Sequence, residues 1–482
     1  MSRMPLSACA ALLVALAYLP GHAAEPMLLG LEEAVRLALA NNLELHSAAL
    51  DTLVQAESVA AEGSRFGRTL VGRASHLAQR TPSVSALEQV QTTSSDRQSL
   101  ALGLSQQLPT GGSAALSLVS GRSASNVAFR TMNPIYDSAL ELSLTQPLLQ
   151  GVGRINRVGL ELAQNGLAQA GLRAAGQARD LHAEVALAYW DLFAAQHELA
   201  VKEQLQAGAL RVLETVRARL ETGTGTRSSV LVAEVSVAQR DEEIVVAGGA
   251  VQAAEDRLEA LCGLDRQAQS RALSLAPADT PRVVPFTADL EEGVSQAVAT
   301  SVPLQQARLQ VESLGLQVDL ARDQSRPAAD LNVTLGLTGI GGRYGDDLSV
   351  LRQGEARSWG GGANLSVPFG PTSAEARYRQ RRLEQERREV DLEDLRLQVA
   401  QQARQRHRQV GISLRRIDAV RAAVGLAQLS VEEQEARLGL GLSTAREVLD
   451  AQDALATARL RLLRAHVDYS QALALWDQIT GG

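Results

Sequence analysis

The sequence predicts a mainly α-helical chain with a β-barrel part: two copies of a long helical hairpin, each interrupted by strands that contribute to a barrel shared between protomers. Three observations carry this prediction. Proline is absent between Pro147 and Pro277 and again after Pro371, and a proline inside a helix costs about 3 kcal/mol, so both gaps read as uninterrupted helix. The chain repeats itself in order. Between the helical stretches lie two regions where apolar and polar residues alternate with period two.

Composition narrows the function classes. With 45% hydrophobic and 21% charged residues over 482 positions, the chain has enough apolar side chain to fold. Its 47 basic and 54 acidic residues give a net charge of −7 spread along the chain, which excludes a nucleic-acid partner needing a basic face. The arginine-rich stretch Arg377 to Arg421 reads as the solvated face of a long helix. The seven histidines are dispersed, none at metal-ligand spacing, and there is no nucleophile elbow or phosphate loop. Gly360-Gly361-Gly362 lacks the strand-to-helix context of a phosphate cradle. No catalytic residue, cofactor or metal site is expected, and the chain is not read as an enzyme.

Taken in order, the chain opens on a targeting signal, residues 1–23: Arg3, an apolar run from Ala8 to Leu19, then Gly21-His22-Ala23. Cys9 precedes the apolar run, the wrong order for a lipid anchor. Once the signal is removed Cys262 stands alone, so no intrachain disulfide is expected. No later stretch approaches 18 uninterrupted apolar residues, so no transmembrane helix is expected. The first structural repeat is placed at 24–263 with a strand insert at about 68–148. A linker covers 264–287. The second repeat is 288–482 with an insert at about 328–369.

Gly151 to Thr222 and Thr372 to Leu440 are each about 70 residues, roughly 105 Å as helix. Leu31–Phe66, Arg227–Cys262, Asp289–Arg326 and Ala445–Thr480 are each about half that length, so two short helices end to end match one long one. Leu31 to Leu50 and Leu290 to Leu309 are identical at nine of twenty positions, and Ala218 to Ala238 matches Ala436 to Ala456 at nine of twenty-one. Along the last helix Val448, Ala451, Leu455, Ala458, Leu462 and Ala465 step by three and four, a coiled-coil seam that continues to Ile479. The first copy repeats the seam from Val230 to Leu261, interrupted by Arg240.

In the first insert Arg97–Leu108 and Ser113–Ser123 flank Pro109-Thr110-Gly111-Gly112 as a hairpin, Tyr136–Leu148 is a third strand, and Arg68–Gln79 a weaker fourth. In the second, Asp330–Gly341 and Trp359–Pro368 alternate around a glycine-rich loop. Strands of about ten residues suffice to cross a bilayer at a tilt. Phe66, Phe129, Tyr136, Tyr344, Trp359 and Phe369 fall in or beside these regions as a candidate interfacial girdle. One chain cannot close a large barrel, so the barrel is expected to be shared, with long helices projecting from the membrane around a water-filled duct.

The run Leu31 to Asn42 (LEEAVRLALANN), the element Gln146-Pro147-Leu148-Leu149-Gln150-Gly151, Val367-Pro368-Phe369 and the paired Gly-x-x-Thr turns resemble the TolC family of outer-membrane efflux and secretion channels. The resemblance covers nearly all the mature chain, in both repeats. It implies a homotrimer with a twelve-stranded transmembrane barrel, four strands from each protomer, and an α-helical tunnel in the periplasm of a Gram-negative bacterium. It also implies outer-membrane lipid around the barrel, and docking to a periplasmic adaptor (membrane fusion) protein and an inner-membrane pump of RND, ABC or MFS type. Up to four strands in the first insert and two in the second exceed that count. A hairpin outside the barrel and strands split from longer ones both remain open.

In the family the tunnel narrows where helices turn at the periplasmic tip, with rings of acidic side chains. The matching positions are Glu447 and Asp450, three apart and so on one helix face. A threefold carboxylate ring favours cations and raises its own pKa values through like-charge proximity. Thr444-Ala445-Arg446-Glu447 also fits a capping box, a role compatible with the first. Gly223 and Thr226 in one turn, and Gly441 and Thr444 in the other, are the candidate adaptor contacts. The family's constricting tyrosine aligns with Leu438, its linking arginine with Ser443 and the acidic partner with Ser229, so its salt-bridge lock does not carry over. Closure would then rely on packing or on Arg227 and Arg446. The competing reading is a periplasmic coiled-coil adaptor or structural spacer without a barrel.

Overall fold

The computed structural model describes residues 27–82, 90–127, 130–264 and 274–481. The signal expected at 1–23 with Cys9, the girdle residue Phe129 and most of the first part of the linker lie outside these residues. The helices are α1 (Leu31–Asn41), α2 (Leu43–Ser64), α3 (Val158–Glu221), α4 (Arg227–Cys262), α5 (Leu290–Thr300), α6 (Val302–Gln324), α7 (Tyr344–Gln353), α8 (Ser373–Gly439) and α9 (Ala445–Thr480). The duplication is visible in their lengths: α1 and α5 have 11 residues each, α4 and α9 have 36 each, and α3 and α8 have 64 and 67.

Two stretches read as single helices are broken, at corresponding places. Asn42 is extended (ψ 125°) and its side chain accepts the Leu45 N–H at 3.0 Å, capping α2 as α1 ends. Ser301 (ψ 113°) breaks α5 from α6, with Pro303 in the first turn of α6, where a missing N–H is harmless. The two breaks lie one repeat apart.

The chain divides into two compact units. The first comprises residues up to Ser47, Ala175–Ser301 and the chain from Gln398. Here the predicted seams are the packing surface: Val448, Leu455, Ala465, Tyr469 and Trp476 on α9 are buried, as are Ala233, Ala247 and Leu258 on α4. Strand β1 (Met27–Leu29) pairs in parallel with β6 (Leu275–Pro277) beside a core containing Val185, Tyr189, Leu192 and Cys262. The Tyr189 hydroxyl donates to the Leu29 carbonyl at 3.0 Å and accepts the Asp279 N–H at 2.9 Å, and burial pushes its pKa up to about 12. A second core holds Trp476, whose ring meets Phe286 edge-on with centroids 5.8 Å apart. Gly293 on α5 lies under that ring, where an added Cβ would come within 2.5 Å of Trp476 Cζ2.

The second unit, Ala48–Ala174 and Val302–Leu397, contains one six-stranded antiparallel sheet. Its strands are β2 (Arg68–Pro82), β3 (Thr92–Gln107), β4 (Ser113–Ser125), β5 (Ile135–Pro147), β7 (Ala328–Gly341) and β8 (Arg357–Ser366), in that spatial order. The four strands read in the first insert and the two in the second are all present. The β3–β4 turn falls where Pro109-Thr110-Gly111-Gly112 places it, with Gly111 at φ 99°. The glycine-rich loop of the second insert instead contains α7. Asp346 and Asp347 favour the start of that helix, and Gly354 at φ 65° ends it. Asp347 is fully buried and accepts the Ser138 N–H at 3.1 Å, while Gly339 and Gly341 leave room for the helix backbone.

Register turns the alternation into two faces. Residues paired across strands share a face, so Gly72, Leu102, Leu118, Leu140 and Leu337 lie in one row. The next row joins Leu70, Leu104, Leu116, Leu142, Leu335 and Trp359. Leu100, Leu144, Val333 and Leu331 extend this apolar band, whose leucines are largely exposed in the single chain. On the opposite face the same strands present Ser75, Ser99, Ser117, Glu141, Thr334 and Ser358. Beyond the band its own face turns polar, with Asp96 near His76 and Arg122, and with Tyr136 edge-on to Tyr344 at 6.3 Å. Among the described residues no helix is long and apolar enough to cross a membrane.

Candidate functional site: the helix turns and the sheet faces

The sequence places the candidate site at the two turns of the first unit. Between α3 and α4 the chain reverses through Gly223 at φ 76°, while the N–H groups of Thr224 and Gly225 each donate to the Arg219 carbonyl at 2.9 Å. Between α8 and α9 the same turn uses Gly441 at φ 77°, with the Leu442 N–H donating to the Arg437 carbonyl at 2.9 Å. Both turns need a left-handed residue, which glycine supplies without a steric penalty. Thr226 caps α4 by accepting the Ser229 N–H at 3.2 Å, and Thr444 caps α9 by accepting the Glu447 N–H at 3.3 Å.

The capping box read from Thr444 and Glu447 is present in full. The Glu447 carboxylate accepts the Thr444 N–H at 2.7 Å and the Ser443 hydroxyl at 2.7 Å. The Thr444 backbone bond, followed by the Ser443 hydroxyl, holds the Glu447 carboxyl below its ordinary pKa within one protomer. Asp450 lies one turn further along, exposed, and stands outside this network with Arg446 Nε 3.9 Å away. The positions that carry the family's lock are used differently. Leu438 is buried, Ser443 binds Glu447, and the Ser229 hydroxyl lies 2.8 Å from that of Thr226.

The two turns are held side by side. Val212 and Val216 of α3, Ala233 of α4, Leu438 of α8 and Val448 and Leu449 of α9 form one buried cluster. Arg219, which sequence reasoning missed, donates from its guanidinium to the Leu438 carbonyl and, at 3.3 Å, to that of Gly439. A cation in the last turn of a helix is a recognised partner for helix-end carbonyls, but that the carbonyls belong to another helix is not legible locally. Arg240, which interrupts the first seam, is only 4% exposed and is satisfied by the Leu205 carbonyl at 2.8 Å and Asp453 at 2.7 Å.

The described residues thus include a six-stranded sheet with one apolar face, and paired helix turns capped by hydroxyls and a carboxylate. The profile of the outer membrane efflux protein family matches residues 114–264 and 293–482. The chain belongs to the outer membrane efflux protein family. The outer membrane efflux protein BepC of Brucella suis is 26% identical over 330 residues, covering 68% of each chain. The outer membrane protein TolC of Vibrio cholerae is 28% identical over 345 residues, 70% of this chain and 76% of that one. Among solved structures, the outer-membrane channel OprN superposes with a TM-score of 0.71 at 17% identity, covering 94% of this chain and 90% of the other, a likeness of fold. The resemblance read from the sequence therefore holds, and membership favours an outer-membrane efflux channel over an adaptor or spacer. The strand count departs from the expectation of four per protomer: six lie in one sheet.

Proposed function

We propose that three copies assemble as a homotrimer whose sheets close into a barrel across the outer membrane and whose helices form a duct in the periplasm. The trimer is the exit channel of a tripartite efflux pump or type I secretion system. It is a passive conduit for substrates handed over by an inner-membrane pump of RND, ABC or MFS type through a periplasmic adaptor. The two-faced sheet carries this reading: an apolar band suited to lipid on one side, hydroxyls, glycines and Glu141 suited to water on the other. The Gly223–Thr226 and Gly441–Thr444 turns form the surface that meets the adaptor, and Glu447 and Asp450 face the constriction as carboxylate rings.

The test is single-channel recording in a planar bilayer. The purified chain conducts with a preference for cations, and E447Q combined with D450N shifts the reversal potential toward anions. A trimer that never conducts removes the conduit, and unchanged selectivity in the double variant removes the ring.

A further inference from the structure

We infer that all six strands of each subunit belong to the barrel wall, and that β2 of one copy pairs antiparallel with β8 of the next, so that a trimer closes on eighteen strands instead of twelve. The inference rests on the trimeric channel reading above and concerns how the barrel is built.

The alternative, with the β2–β3 hairpin standing outside the wall, conflicts with register and with surface chemistry. β3 is paired to β4 from Gln107↔Ser113 to Ser95↔Ser125, and β2 to β3 from Arg68↔Gln106 to Pro82↔Thr92, so the hairpin continues the sheet along its whole length. Leu70 on β2 and Leu104 on β3 carry the apolar band onward at the same level as Leu116 and Leu142, Leu102 does so at the level of Leu118 and Leu140, and Leu100 lies one row beyond. In the single chain Leu70 is 74% exposed and Leu100 is 52% exposed. A flap in extracellular water or in the lumen would leave those leucines wet, whereas a wall strand gives them lipid. Their neighbours Ser75 and Ser99 lie 2.7 Å apart across the opposite, polar face, as lumen-facing residues would.

The occupant of each free edge follows from chain direction. Successive strands alternate, so β2 and β8, the ends of a six-strand antiparallel sheet, run in opposite directions. A rotation axis that brings one copy's β8 beside the next copy's β2 therefore makes an antiparallel seam and leaves no unpaired edge in hydrocarbon. Four strands per copy would also close antiparallel, with β4 at the seam; register and the apolar band select six. Barrel diameter grows roughly in proportion to strand number, so the wall encloses about 1.5 times the circumference of a twelve-stranded one.

Cysteine cross-linking of the full-length protein in outer membranes tests this. One panel pairs Leu70→Cys, Gly72→Cys or Ala74→Cys on β2 with Gly361→Cys, Ala363→Cys or Leu365→Cys on β8, sampling several offsets of the seam. A second panel pairs Leu116→Cys, Leu118→Cys or Ser120→Cys on β4 with the same β8 positions. Mild oxidation is expected to convert monomers of at least one β2–β8 combination into a covalent ladder ending at the trimer, with no ladder from the β4 panel. A ladder from the β4 panel, or from neither panel in trimers that still conduct, overturns the six-strand wall while leaving the channel intact. Absence of both trimer and conductance in the unmodified chain would remove the reading on which the inference rests.

Discussion

Leu118 and Ser117 are adjacent on β4 and offer a controlled test of which sheet face meets lipid. Leu118 sits in the middle of the apolar band between Leu102 and Leu140, whereas Ser117 points to the other side between Gly103 and Glu141. Leu118→Arg puts a guanidinium near the level where the bilayer is driest, at a cost of about 2–4 kcal/mol per subunit. At about 1.4 kcal/mol per tenfold change, that is roughly 30- to 700-fold in each subunit's folding equilibrium, and about 6–12 kcal/mol for the three subunits of the proposed trimer if the sites are independent. Ser117→Arg places the same charge toward water and opposite Glu141, where an opposite-charge pair contributes about 0.2–1 kcal/mol in its favour. The assay is refolding from urea into liposomes, read as the midpoint of membrane-inserted, protease-resistant protein. The Leu118 variant should refold only at much lower urea, with the Ser117 variant near the parent. Equal loss in both, or a larger loss at Ser117, would refute the assignment of faces.

Three further outcomes are expected. Asp453→Ala leaves the buried Arg240 guanidinium with only the Leu205 carbonyl and should destabilise the helical unit by about 1–3 kcal/mol, the partner carboxylate being more than half exposed; Arg240→Met should be close to neutral; paired urea melts distinguish them. Gly293→Ala should destabilise by about 1–2 kcal/mol, although alanine is the better helix former by about 1 kcal/mol, because its Cβ collides with Trp476; in a Trp476→Leu background the same change should turn stabilising, which a double-mutant cycle reads directly. The Glu447 carboxyl titrates below its ordinary value of 4.5 in the folded chain, so its cap is complete above that value and is lost as pH falls through the lower folded value. Amide protection around Ser443–Glu447, taken relative to the intrinsic exchange rate at each pH, should fall under acid in the parent, while Glu447→Gln should show no such pH step.

The ends of α4 and α9 were legible because a threonine cap and a glycine turn mark their starts and the seam period persists to their last turn. The strands were legible from alternation, and β2, the weakest of them, owes its place to full-length pairing with β3. What local pattern could not supply was partnership. The break at Asn42 needs only one side-chain bond to the Leu45 N–H and leaves the apolar period almost undisturbed. The β1–β6 pair is three residues on each side, too short for periodicity to register. Helix α7 hides among glycines because its anchor, Asp347, is held by Ser138, far away in sequence. At the tip, Thr444 and Glu447 announced themselves through their spacing, whereas Arg219 acts on carbonyls of a helix more than 200 residues later.

The junction between β5 and β7 joins the two halves of the duplication: Tyr136 meets Gly341, 205 positions on, and Pro147 meets Asp330, 183 positions on. During synthesis the first four strands therefore emerge long before their remaining neighbour exists. That pairing is a late, non-local step with a large loop-closure entropy, of the kind that slows folding and leaves strand edges exposed meanwhile. A nascent chain halted before residue 328 would carry four of the six strands, with the long edge of β5 left unpaired in place of the shorter β8. The timing of synthesis therefore bears on whether it matures or aggregates.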